Sequence, residues 1–108
     1  MFKKKYNNIN NQLYYKYSKI IFKEIKHKNI IGVDLDNDFQ IIVDKFVHAQ
    51  FWDIDYCYQV TLRNNKEDKI IVQFQTENKR KYYLGVILRY ALRRYQEETG
   101  IDDYWTQS

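Results

Sequence analysis

The chain has 108 residues, of which 44% are apolar and 18% aromatic, and a net charge of +4. That length suits one domain with one modest core. A single cysteine, Cys57, excludes an internal disulfide and any Cys/His zinc pattern, and it points to a reducing, intracellular (cytoplasmic) setting. No apolar run approaches the roughly 20 residues of a membrane span, so no membrane association is expected. The opening MFKKKYNNINN has lysines with no apolar run behind them, so it does not read as a secretory signal.

In chain order, the first expected element is a helix over 11–27. Leu13, Tyr17, Ile20, Ile21 and Ile25 fall on one side at a 3.6-residue period, and Lys16, Lys19, Lys23 and Lys26 fall on others. The apolar run at 29–33 predicts a brief strand. The β-branched residues of FQIIVDKFV would allow a strand, but over 39–51 the positions Phe39, Ile42, Val43, Phe46, Val47 and Phe51 follow i, i+3, i+4, i+7, i+8, i+12, which favours a second helix with Asp36, Asn37 or Asp38 as its N-cap. Alternation over 56–63 and again over 69–76, separated by NNKED, predicts a β-hairpin. Leu84, Ile87, Leu88, Ala91, Leu92 and Tyr95 make the stripe of a final helix, which Gly100 stops. The expected fold is α+β, a small single domain over 1–108 in the order helix-strand-helix-β-hairpin-helix.

Charge is grouped along the chain. Residues 1–28 hold eight lysines and one glutamate; residues 33–55 hold six aspartates and one lysine; residues 79–94 hold six basic residues and no acid. Charged residues commonly do no more than solvate a surface. The spacing of the aspartates suggests more. Asp34 and Asp36 leave the expected strand two residues apart, on the same side. Asp53 and Asp55 repeat that spacing before the hairpin. If the helix between them folds back, the two pairs meet at one end of the sheet. Close carboxylates repel unless a cation neutralises them, and oxygen ligands select Mg²⁺ or Mn²⁺. Such an ion suits phosphodiester hydrolysis, and flanking lysines and arginines would attract the polyanion. The other reading of these aspartates is as helix caps and turn residues.

The run DLDN followed thirteen residues later by FWDID resembles the RusA-type Holliday-junction resolvases, small phage- and prophage-borne nucleases. The resemblance covers residues 29–76. It implies that Asp34, Asp36 and Asp55 hold Mg²⁺ (or Mn²⁺) and are catalytic, with Asn37, Gln40 and Asp53 supporting. Gln40 stands where the family usually has a lysine. The resemblance further implies branched DNA as substrate and a homodimer, matching the two-fold symmetry of a junction. Lys3, Lys4, Lys5, Arg89, Arg93 and Arg94 are the expected DNA contacts. The rival expectation is a non-catalytic small phage or mobile-element protein that binds nucleic acid or inhibits a host protein. The two differ in one observable: in a nuclease the three carboxylates converge, and in a binder they scatter.

Overall fold

The structure, a computed structural model, describes the backbone of residues 2–50, 53–76 and 80–100 and the side chains of 12–47, 57–76, 80 and 82–100. Helix α1 (Phe2–Glu24) is followed by strands β1 (Ile30–Asp34), β2 (Phe39–Gln50), β3 (Asp53–Asn64) and β4 (Lys69–Gln75), then by helix α2 (Lys81–Thr99). The strands form one antiparallel meander in the order β1-β2-β3-β4. α2 lies over β3 and β4, and α1 lies against α2 and β1. This is the α+β class expected, with one element changed.

That element is 39–50, which is a strand and not the predicted helix. Two backbone ladders decide it. β2 pairs with β1 from Asp44 to Gln40 and with β3 along its whole length. The β-branched run Ile41-Ile42-Val43 suits this extended backbone and loses rotamer freedom in a helix. The helical spacing misled because both sides of β2 carry apolar groups. Phe39, Ile41 and Val43 are buried in the core, while Ile42 and Phe46 are half-buried on the opposite side. An i, i+3, i+4 pattern then appears without a helix.

Side chains line up in rows across the helix-covered side of the sheet. Ile31, Val43, Val60 and Phe74 are successive ladder partners, as are Val33, Ile41, Leu62 and Val72. Onto these rows α1 sets Tyr17, Ile21 and Ile25, and α2 sets Leu84, Ile87, Leu88, Ala91, Leu92 and Tyr95. The stripe expected for α2 is therefore buried in full. In α1 the expected core residue Ile20 is instead 47% exposed, because it lies about 100° round the helix from Ile21. In β4, the alternation over 69–76 would put Ile70 on the same side as Val72 and Phe74. A bulge between Leu62 and Arg63 sets Ile70 opposite Arg63 and leaves it 53% exposed, while Ile71 packs on the core.

Local devices close the elements. Gly100 ends α2 at φ 62°, a left-handed conformation that glycine adopts without Cβ strain. Lys45 Nζ donates to the Ile25 carbonyl at 2.7 Å, placing a cation at the end of α1 where carbonyls are unsatisfied. Cys57 is buried within β3. The helices approach each other at Gly85, where an added Cβ would come 2.7 Å from the Tyr14 hydroxyl; the mid-helix glycine leaves room for that ring.

Leu88 is 0% exposed at the centre of the core. Leu88→Ala is expected to lower unfolding free energy by about 3 kcal/mol, read from urea denaturation. A loss below about 1 kcal/mol, the scale of a single methylene, would show that α2 does not seal the sheet as described.

Candidate nucleic-acid interface

Register places the aspartates. Asp34 ends β1 opposite Gln40, and Gln40 in turn faces Arg63. Asp55 faces His48, eight ladder positions along β2 from Gln40. At about 3.3 Å per residue that is roughly 26 Å. The backbone register therefore does not bring the Asp55 position to those of Asp34 and Asp36 as expected. A helix over 39–50 would rise only about 1.5 Å per residue and allow the chain to double back; the extended strand carries Asp53 and Asp55 to the far end of the hairpin. Their side chains, like those of Lys3, Lys4 and Lys5, lie outside the described residues. Among the described residues no group of three or more His, Cys, Asp or Glu is placed to hold a metal ion.

Asp36 is engaged in structure. Its Oδ1 accepts the N–H groups of Asp38 and Phe39, each at 2.7 Å, and its Oδ2 accepts the Tyr95 hydroxyl at 2.8 Å. The capping chemistry expected of this residue is present, but it closes a β1–β2 turn and not a helix. Burial pushes the Asp36 carboxyl up, yet the hydrogen bonds from Phe39, Tyr95 and Asp38 outweigh it and hold the group below its ordinary 3.8. Burial, then the Asp36 hydrogen bond and charge, hold the Tyr95 phenol well above its ordinary 10.0. The Tyr95 ring also meets Phe39 edge-on, with centroids 5.5 Å apart. Asn37 is exposed in the same turn. Gln40 accepts from Asn65 Nδ2 at 3.4 Å and lies over Gly32, where an added Cβ would meet its amide nitrogen at 2.8 Å. The Asp38 carbonyl accepts the Asn65 N–H at 2.7 Å, so the two turns at this end of the sheet are tied together.

The basic residues gather elsewhere. Lys16, Lys19, Lys23 and Lys26 are all exposed. Their spacing of three, four and three residues keeps them on one side of α1 and its following turn, roughly opposite Tyr17, Ile21 and Ile25. These lysines are not among the expected DNA contacts; their 3-4-3 spacing is the signal in the sequence that marks them. On α2, Arg93 is exposed, Arg89 sets its guanidinium 4.0 Å from the centre of the Tyr14 ring, and Arg94 donates to Glu98 at 3.0 Å. Charge thus segregates by layer. Residues 12–28 and 80–100, which build the helical layer, hold ten Lys and Arg against three Glu, whereas 29–47 and 57–76 of the sheet hold four against six acids.

Comparison with known protein families, with curated proteins and with solved structures finds no match to this chain.

The Asp36–Tyr95 bond has a pH signature. A carboxyl whose folded pKa is depressed stabilises the fold above its unfolded value and loses that contribution as pH falls through the lower folded one. Tyr95→Phe is expected to cost about 1 kcal/mol near neutral pH, as for a hydrogen bond to a partly solvated carboxylate. The gap between variant and wild type should narrow as pH drops below about 4. Urea unfolding at neutral and acid pH checks this; a gap that stays constant would mean the charged form of Asp36 is not what Tyr95 serves.

Proposed function

We propose that this protein binds nucleic acid without cutting it, through the outer surface of its helical layer. The observation that carries this reading is the segregation of charge: among the described residues the helical layer, with the lysine side of α1 and the arginines of α2, holds ten cations against three glutamates, while the sheet and its turns hold more acids than bases. A polyanion is drawn to such a surface, and the release of its condensed counterions supplies affinity. The reading keeps the nucleic-acid part of the RusA resemblance. It leaves out hydrolysis, because a one-ion site needs carboxylates that converge, and eight ladder positions separate the pair opposite Asp34 from the pair containing Asp55.

Sequence-independent phosphate contacts give a linear fall of log affinity with log salt, at about 0.9 per contact on duplex and about 0.7 on single strands. The test is fluorescence anisotropy of labelled DNA across a salt series. Wild type should show a steep slope, and Lys19→Glu with Lys23→Glu should lower it by about 1.4 to 1.8. Asp34→Asn, on the other side of the sheet from the helices, should leave both slope and affinity unchanged. Affinity insensitive to salt and to charge reversal would overturn the proposal.

A further inference from the structure

Between the helices lies a cavity of about 230 Å³ lined by Tyr14, Phe22, Tyr82, Gly85, Val86 and Arg89. Three of those residues are aromatic rings and a fourth is a guanidinium. Tyr14 and Phe22 meet edge-on at 6.4 Å between centroids, and the Arg89 guanidinium covers the Tyr14 ring at 4.0 Å. Tyr82 is 72% exposed, held against Tyr83 at 5.2 Å and 81°. The absence of a side chain at Gly85 lets Tyr14 reach the α2 backbone and keeps this wall flat.

The volume exceeds the roughly 30 Å³ share of one water and falls below the roughly 300 Å³ at which drug-sized ligand sites begin. It suits one flat ring system. Its surroundings are cationic. On α1, Lys19 stands three residues before Phe22, its neighbour on the helix surface, and Lys26 follows in the turn after α1; both are exposed. On α2, Tyr82, Val86, Arg89 and Arg93 follow i, i+4, i+7, i+11 and share one side. An aromatic recess with cations on both banks is the combination that takes a base from a single strand: rings and a guanidinium stack the base, and cations hold the phosphates beside it. In a duplex the bases are already stacked on one another and present no face to such a recess.

We infer that the Tyr14–Phe22–Tyr82–Arg89 cavity receives one unstacked nucleobase, which makes this protein a single-strand binder. The inference rests on the proposed nucleic-acid binding and narrows it to a strand state and a subsite. The phosphates engage the lysines flanking Phe22, and one base per protein enters between the helices.

Three labelled probes of equal length, about 20 nucleotides so as to exceed the usual 4–16 nucleotide sites, separate the outcomes by anisotropy titration. They are a single strand, the same strand annealed to its complement, and a single strand of abasic sugar-phosphate units. The expected order is single strand tightest, with the abasic strand weaker by about fivefold or more, the lower end for stacking one base. Tyr82→Ala, a surface change that leaves the core intact, should bring the single strand down toward the abasic strand without altering duplex affinity, and Tyr82→Trp should restore the difference. Equal affinity for all three probes, or a Tyr82→Ala variant that keeps its preference, overturns the base subsite and leaves the cationic surface standing. Binding to none of the probes overturns both readings.

Discussion

Backbone pairing on both sides of β2 is the constraint on which the rest of this structure depends. From Gln40 to Asp44 each position is in register with β1 on one side and β3 on the other. Those ladders satisfy backbone groups that would otherwise be buried without partners. They also align Ile31 with Val43, Val60 and Phe74, and Val33 with Ile41, Leu62 and Val72, giving the helices a continuous apolar platform. Only with that platform do α1 and α2 lie side by side, and only then is there a recess between them. The β2–β3 ladder continues past the last β1 and β4 pairings, at Asp44 and Gln59, to Gln50 and Asp53.

Asp36 shows how one carboxylate joins distant parts of the chain. Through Oδ1 it sets the turn that feeds Phe39 into β2, and through Oδ2 it holds Tyr95, fifty-nine residues later, near the end of α2. Tyr17 reaches the same turn from α1, donating to the Leu35 carbonyl at 3.3 Å. Both helices are thereby referenced to one turn by hydrogen bonds, in addition to apolar contact. With both oxygens occupied, this carboxylate serves the fold, and the cations of the helical layer are left to define the chemistry of the opposite surface.

Electrostatics explains why a basic chain gathers acid in one stretch of its sequence. Residues close together in the chain separate in space when the segment between them is extended. Asp34, Asp36 and Asp38 lie at one end of the sheet, Asp44 midway opposite Ile30 and Gln59, and Asp55 opposite His48 near the hairpin tip. The acids are thus spread along the sheet, away from the lysine side of α1. Among the described residues no three acids are placed to share an ion, and the described basic residues of α1 and α2 lie in one helical layer.

The amphipathic sides of α1 and α2, the β3–β4 hairpin and the Gly100 stop were legible in the sequence. Each rests on local periodicity or on the φ freedom of one residue, and local properties survive whatever the rest of the chain does. The 3-4-3 lysine spacing on α1 was equally legible. Three features were decided only in tertiary structure. The segment 39–50 became a strand because residues 30–34 and 53–64 offered it ladders on both sides, and no window of its own sequence records those partners. Ile70 turned outward because a bulge forms only where β3 and β4 meet. The carboxylates scattered because an extended strand lengthens the chain at about 3.3 Å per residue where a helix would have shortened it to about 1.5 Å.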